Sequence, residues 1–203
     1  MNKTIHFRQS ELIEATGRQN PGGICLGLTV QWLAAISKGF TGEEQRFWDD
    51  LNSSKANNEK APLLGMGYAK EAIQFQNEYG ANNNGIGSSN YARKVLKDHE
   101  LKIESAQDVR DYNALALRDI AHKVLTQNGR YTLLLFKGDE GAHAIGIYRK
   151  YSLYGKSEDI AVFDSNQGKW EAAGEGDTVE AIASVMYLYR GWSNIQYSLE
   201  AFA

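Results

Sequence analysis

Residues 24–37, which read ICLGLTVQWLAAIS, decide the fold. This stretch is almost entirely apolar and too long for a buried strand, so it predicts a helix that is buried on all sides. The sequence NPGG at residues 20–23 predicts an irregular turn before the helix, and Gly39 predicts its end. Cys25 therefore lies at the very start of a buried helix.

The rest of the chain divides into a helical half and a half that is rich in strands. Further helices are predicted near residues 43–51, 69–79, 89–98 and 113–127. Short β-branched and aromatic segments then predict an antiparallel meander at residues 130–137, 142–151 and 159–164, followed by a helix at 177–189 and a last strand at 194–202. Helices first and strands afterwards indicate an α+β fold, with the helical half packed on a C-terminal sheet.

We expect a single domain over residues 1–203, because a chain of 203 residues and 22.6 kDa can bury one sizeable core and contains no repeat or linker. Residues 1–18 are expected at the fringe of this domain. Residues 52–60 and 80–90 are dense in Asn, Ser and Gly, which predicts two surface loops.

Composition and charge exclude several classes of function. Twenty-two basic and 25 acidic residues give a net charge of −3 with no basic tail, which argues against nucleic-acid binding. No apolar run reaches the roughly 18 residues that a membrane span needs. Residues 1–14 contain no apolar signal region, so we predict no cleaved signal peptide. The chain is expected to be made in a cytoplasm, and export by another route stays open.

Cys25 is the only cysteine, which excludes an intrachain disulfide and a thiolate-rich metal centre. The first turn of a helix presents unpaired N–H groups and the positive end of the helix dipole, and both lower the pKa of a thiol. A lone cysteine in an apolar helix can equally be a structural core residue. Taken alone, Cys25 favours the structural interpretation.

His143 makes a catalytic interpretation stronger. It lies near the start of a predicted strand, in the run GAHAIGIY at residues 141–148, among small residues that leave room around its ring. A neutral imidazole could accept the thiol proton of Cys25 and create a thiolate–imidazolium pair. The alternative is a core histidine that is hydrogen-bonded to backbone.

Asp164 ends the next predicted strand, in the run IAVFDSNQG at residues 160–168. Adjacent strands of a meander could bring its carboxylate to the second ring nitrogen of His143 and so fix the tautomer of the ring. An ordinary turn aspartate at a strand end is the alternative. The informative feature is the chain order: cysteine on a helix, histidine on a strand, aspartate on the next strand.

Acyl transfer also needs donors for a developing oxyanion. The backbone N–H of Cys25 is one candidate, and a side-chain amide from Gln19 or Asn20 is the other. Either amide could instead cap the turn or the helix.

The remaining chemistry-bearing residues predict no metal site and no cofactor. His6, His99 and His122 lack partners at a trusted metal-ligand spacing. The Gly-Ile-Gly run at residues 85–87 has neither the lysine of a phosphate loop nor a preceding strand, so it predicts only a loop.

Three segments together resemble the YopT/AvrPphB-type cysteine proteases, bacterial effectors that are injected into host cells. These are GICLGLT at residues 23–29 with Trp32-Leu33, AHAIGI at residues 142–147 and FDSNQG at residues 163–168. They occur in the family's order, and the region they span, residues 20–168, is most of the chain.

The resemblance implies a papain-like α+β fold with Cys25 as nucleophile, His143 as general base and acid, and Asp164 as the residue that orients the histidine. It places Asn20 at the oxyanion hole, with Gln19 as second choice. It also implies a host protein substrate, a small GTPase or a kinase, and delivery into the host cell by a specialised secretion system of the bacterium that makes the protein.

Two other functions remain open on the sequence. The same triad could hydrolyse a Gln or Asn side-chain amide, since amidases and proteases both pass through a thioester. A binding domain on an inactive protease scaffold is the second alternative.

Overall fold

The computed structural model describes residues 1–15, 23–39, 42–56, 67–82, 90–109, 114–152 and 155–203. Its helices are α1 (Gln9–Ala15), α2 (Cys25–Ser37), α3 (Glu43–Ala56), α4 (Tyr68–Asn82), α5 (Asn90–Asp98), α6 (Ala114–Thr126) and α7 (Gly174–Met186), which a short 3-10 helix (Tyr187–Tyr189) extends. Its strands are β1 (Asn2–His6), β2 (Ile103–Val109), β3 (Tyr131–Gly138), β4 (Gly141–Ser152), β5 (Gly155–Asp164), β6 (Gly168–Ala172) and β7 (Gln196–Phe202). The predicted α+β class is confirmed.

The described strands form one antiparallel sheet in the order β1-β6-β5-β4-β3-β7-β2. The predicted meander is its centre, where β3, β4 and β5 lie side by side. The sequence did not predict the short strands β2 and β6. The sequence of β2 does not alternate between polar and apolar residues, and it therefore carries no strand signal. The exposure of the side chains from Ile103 to Gln107 agrees with this pattern.

The sheet separates two apolar cores. Helix α2 packs on β3, β4 and β5 and is itself covered by α3, α4 and α5. Helices α6 and α7 pack against the opposite face. Successive side chains of a strand point to opposite faces of the sheet, so neighbouring residues lie in different cores. Phe163 packs against Trp32 of α2, whereas Val162 belongs to the core under α7.

Helix α2 is buried from Cys25 to Ile36, as its almost entirely apolar sequence predicts. Two glycines allow its close approach to neighbouring elements. A Cβ at Gly27 would lie 2.1 Å from the backbone oxygen of Ala72 in α4, and a Cβ at Gly146 in β4 would lie 2.7 Å from the Trp32 ring. The packing therefore fixes the position of α2 against both the sheet and α4.

Residues 1–18 were expected at the fringe of the domain. For residues 1–15, the part that the structure describes, this expectation is wrong. Strand β1 pairs with β6 at the edge of the sheet, and Leu12 of α1 is fully buried in the core beside α2. The packing is tight, since a Cβ at Gly168 would lie 2.0 Å from the backbone oxygen of Ile5. The side chains of Asn2–His6 are mostly exposed, which explains why this segment carries no strand signal.

The two predicted loops begin later than expected. Helix α3 continues to Ala56 and so includes the first half of the predicted loop at 52–60, while residues 57–60 lie outside the described residues. Helix α4 continues to Asn82, and α5 begins at Asn90. Only residues 83–89 of the predicted loop at 80–90 lie between the two helices, and they are also outside the described residues. Asn and Ser favour turns only weakly, and a helix can continue through them. None of the described helices has the length and apolarity needed to cross a membrane.

Candidate active site

Cys25 is the first residue of α2, and its side chain is only 6% exposed. Gly23 turns the chain into the helix with a positive φ of 71°. The N-cap residue, Ile24, supplies no side-chain hydrogen bond to the helix. The thiol thus sits at the amino end of a buried helix, which is the positive end of the helix dipole.

His143 and Asp164 meet across neighbouring strands. Ile145 of β4 lies opposite Asp164 of β5, and His143, two residues before Ile145, shares the same face of the sheet. The Nε2 atom of His143 lies 3.2 Å from Oδ1 of Asp164, and both side chains are buried. The register of the meander is what brings the two side chains together.

The Cys25 side chain is close enough to the His143 ring to influence its pKa. Because Nε2 faces Asp164, Nδ1 is the nitrogen left for the sulfur. Alternation places His143 with Ile145 in the layer under α7, whereas Cys25 belongs to the core on the opposite face. Both residues lie at the ends of their elements, so the sheet does not come between them.

The surroundings of His143 favour its charged form. Burial by itself lowers the pKa of His143, but the Asp164 carboxylate and then the Cys25 side chain more than offset it, and together they raise that pKa to about 10. A charged imidazole beside a cysteine is the kind of neighbour that can activate a thiol nucleophile.

Asp164 is fully buried and accepts hydrogen bonds on both carboxylate oxygens. Oδ1 accepts from the backbone N–H of Asn166 at 2.6 Å as well as facing His143, and Oδ2 accepts from the Tyr189 hydroxyl at 3.2 Å. These donors hold the carboxylate in one orientation and compensate for its burial.

Tyr189 is a residue of the site that sequence reasoning missed. Its ring packs against the His143 ring with centroids 4.7 Å apart, and its hydroxyl accepts a hydrogen bond from Nδ2 of Asn166 at 2.9 Å. Burial first, and then the Asp164 charge, raise the pKa of Tyr189, so the hydroxyl keeps its proton and remains a donor to Asp164. No local signal marks this role, since Tyr189 lies 25 residues beyond Asp164.

Gln9 of α1 is a second residue that sequence reasoning missed. Its side chain contacts both the amino end of α2 and the turn after Asp164. It lies in the segment that the sequence had placed at the fringe of the domain.

The other predicted residues lie away from these side chains or outside the description. Gln19 and Asn20 are outside the described residues. His6 and His122 are exposed, and His99 lines a separate cavity with Lys38 and Tyr68. Within the described part of the chain, no group of three or more His, Cys, Asp or Glu side chains could hold a metal ion.

A cysteine that opens a buried helix, facing a histidine and an aspartate on adjacent strands, defines a papain-like α+β protein with a thiol site. The chain matches the family of the Yersinia/Haemophilus virulence surface antigen, peptidase family C58, over residues 4–177. It belongs to this family, and the predicted resemblance is confirmed.

The fold is also similar to a solved structure, the Pseudomonas avirulence protein AvrPphB. The two share 17% sequence identity and superpose with a TM-score of 0.65 over 98% of this chain and 97% of the other. Comparison with curated protein sequences gives no match.

Proposed function

We propose that this protein is a cysteine endopeptidase of the bacterial effector type, with Cys25 as nucleophile, His143 as general acid and base, and Asp164 as the residue that orients the histidine. The observation that carries the proposal is the position of His143: its Nε2 atom lies 3.2 Å from the Asp164 carboxylate, and its ring is close enough to Cys25 for that side chain to influence its pKa. Membership of a peptidase family supports the same reaction.

In the first half of the reaction, the Cys25 thiolate attacks the carbonyl carbon of the scissile peptide bond. A carbon–sulfur bond forms, and the carbonyl electron pair moves to the oxygen. The His143 imidazolium then gives its proton to the leaving amine, the carbon–nitrogen bond breaks, and a thioester remains on Cys25.

In the second half, water attacks the thioester while the now neutral His143 accepts a water proton. The carbon–sulfur bond breaks, the carboxylic acid product leaves, and the thiolate–imidazolium pair is restored. Asp164 keeps the ring in place and stabilises its charge in both halves, without itself taking up the proton.

The oxyanion requires donors that are in place before the reaction. The backbone N–H of Cys25, in the first turn of α2, is suited to be one of them. For the second donor we propose the side chain of Asn20, with Gln19 as second choice. That assignment stays a prediction, which alanine variants of the two residues can distinguish.

We propose that the substrate is a protein of the host cell, a small GTPase or a kinase, reached through a specialised secretion system that needs no cleaved signal peptide. The match to a virulence-antigen family and the structural similarity to a Pseudomonas avirulence protein support this context.

The test compares wild type with Cys25→Ala in a lysate of host cells, with new protein N-termini identified by mass spectrometry. We expect new N-termini with wild type and none with the variant. A host protein that loses an amide without cleavage would instead indicate a deamidase. Failure of an electrophilic thiol probe to label Cys25 at neutral pH would point to a binding domain without activity.

A further inference from the structure

Gln9 holds the two halves of the candidate site together. The backbone N–H of Ile24, the residue before Cys25, donates to Oε1 of Gln9 at 2.8 Å. Nε2 of the same side chain donates to Oδ1 of Asn166 at 2.6 Å. One amide group therefore contacts both the amino end of the helix that carries the thiol and the turn that follows Asp164.

The backbone fixes the orientation of this amide. Because the N–H of Ile24 can only donate, the Gln9 atom that faces it must be the oxygen, and the Gln9 nitrogen must face Asn166. Asn166 in turn donates to the Tyr189 hydroxyl, which donates to Asp164. All four hydrogen bonds point in one direction, from the start of α2 to the carboxylate.

The main chain reinforces this connection. The backbone N–H of Gln9 donates to the backbone oxygen of Ser165 at 2.6 Å, so α1 begins directly on the turn after Asp164. Fully buried Leu12, one turn further along α1, anchors the helix in the core. Gln9 is itself 9% exposed, so water cannot readily replace its amide at Ile24.

We propose that Gln9 is a positioning residue of the thiol site, which sets the distance between the start of α2 and the turn after Asp164 and so keeps Cys25 beside His143. The inference rests on the proposed function of Cys25 and extends it to a residue of the N-terminal helix. Gln9 acts through Ile24 and Asn166 and touches no reacting atom.

The test measures alkylation of Cys25 by iodoacetamide as a function of pH, followed by mass spectrometry of the intact protein. Cys25 is the only cysteine, so the whole signal reports this thiol. Gln9→Met keeps the size of the side chain but has no amide. We expect its alkylation midpoint to move to higher pH, and its rate at about pH 6 to fall roughly 10- to 100-fold, because a displaced imidazolium no longer stabilises the thiolate.

Gln9→Glu is the second variant, in case Gln9→Met does not fold. A carboxylate still accepts from Ile24 but cannot donate to Asn166, and its negative charge also disfavours a thiolate, so the midpoint should again rise. The matched control is Gln127→Ala, which removes an equally short 2.6 Å side-chain hydrogen bond, to Thr132, far from Cys25. Circular dichroism at each pH confirms that every variant is folded.

A folded Gln9→Met or Gln9→Glu protein with the wild-type midpoint would overturn the positioning role, and so would an equal shift in Gln127→Ala. Combining Gln9→Met with Asn166→Ala adds a further check: if Gln9 acts through Asn166, the double variant should be little worse than the single ones, and additive effects would contradict the inference. A wild-type thiol that titrates like free cysteine would contradict the proposed function itself.

Discussion

The Tyr189 hydroxyl donates a hydrogen bond to Oδ2 of Asp164 at 3.2 Å, while Oδ1 of the same carboxylate faces His143. Each carboxylate oxygen thus has its own side-chain donor, and the Tyr189 ring also packs against the imidazole. Asp164 and His143 are therefore held by one tyrosine, which lies on the segment after α7.

Tyr189→Phe should keep the packing of the ring but leave Oδ2 of Asp164 without a side-chain donor. We expect the free energy of unfolding to fall by about 1–3 kcal/mol, because a buried carboxylate loses a partner, and the alkylation of Cys25 to slow. Urea unfolding and iodoacetamide labelling measure the two effects. Tyr148→Phe, which removes a hydroxyl contact to Arg130 at 2.8 Å, is the control that should leave labelling unchanged.

Asp164→Asn and Asp164→Ala should differ. An amide oxygen can still accept from the His143 ring, so Asp164→Asn should keep some turnover of an identified substrate, whereas Asp164→Ala leaves the ring without partner or charge and should be worse. Equal turnover by the two variants would show that Asp164 does not act through the ring.

His143→Ala should lower turnover roughly 10²- to 10⁴-fold, because the general acid and base is lost. His122→Ala, at an exposed position on α6, is the matched control and should behave as wild type. Adding Cys25→Ala to His143→Ala should lower turnover little further, since the effects of substitutions at residues that act as a unit do not add. Wild-type turnover by a folded His143→Ala protein would overturn the mechanism.

Cys25→Ala should lower the pKa of His143, because the Cys25 side chain is one of the groups that raise that pKa to about 10. NMR titration of the His143 ring in wild type and variant measures the difference. An unchanged titration would mean that the thiol and the ring do not interact in solution.

The raised pKa of His143 also predicts how stability depends on pH. A folded-state pKa above the ordinary value of 6.5 stabilises the protein fully below about pH 6.5, and this contribution is lost as the pH rises towards 10. The difference in free energy of unfolding between wild type and His143→Gln should therefore shrink over this range in urea titrations. A difference that stays constant from pH 6.5 to 10 would contradict the charged state of His143.

Gly27→Ala tests the packing that holds the thiol helix. The added Cβ would lie 2.1 Å from the backbone oxygen of Ala72, so we expect a loss of about 1–3 kcal/mol in the free energy of unfolding from overpacking. Gly176→Ala is the matched control: it is also helical, nothing lies within 4 Å of its Cβ, and it should stabilise the protein by up to ~1 kcal/mol. Equal effects of the two changes would contradict the close contact of α2 with α4.

Patterns within short segments were enough to predict the main features of the fold. The almost entirely apolar run at residues 24–37 predicted α2 to within one residue, and the short β-branched and aromatic segments after Asn128 predicted β3, β4 and β5. Strands β1 and β2 escaped prediction because edge strands with exposed side chains carry little apolar signal.

The sequence by itself determined which residue types stand in which order: a cysteine at the start of a buried helix, then a histidine and an aspartate on successive strands. Antiparallel pairing of adjacent strands already favoured a contact between His143 and Asp164. Every second residue of a strand lies on the same face of the sheet, so two side chains on neighbouring strands can meet there. The contact between Cys25 and His143 was decided by tertiary structure alone, since alternation assigns the two to opposite faces and only the ends of α2 and β4 bring them together. The same holds for Gln9 and Tyr189, which lie far from the site in sequence and reach it through packing that no local pattern encodes.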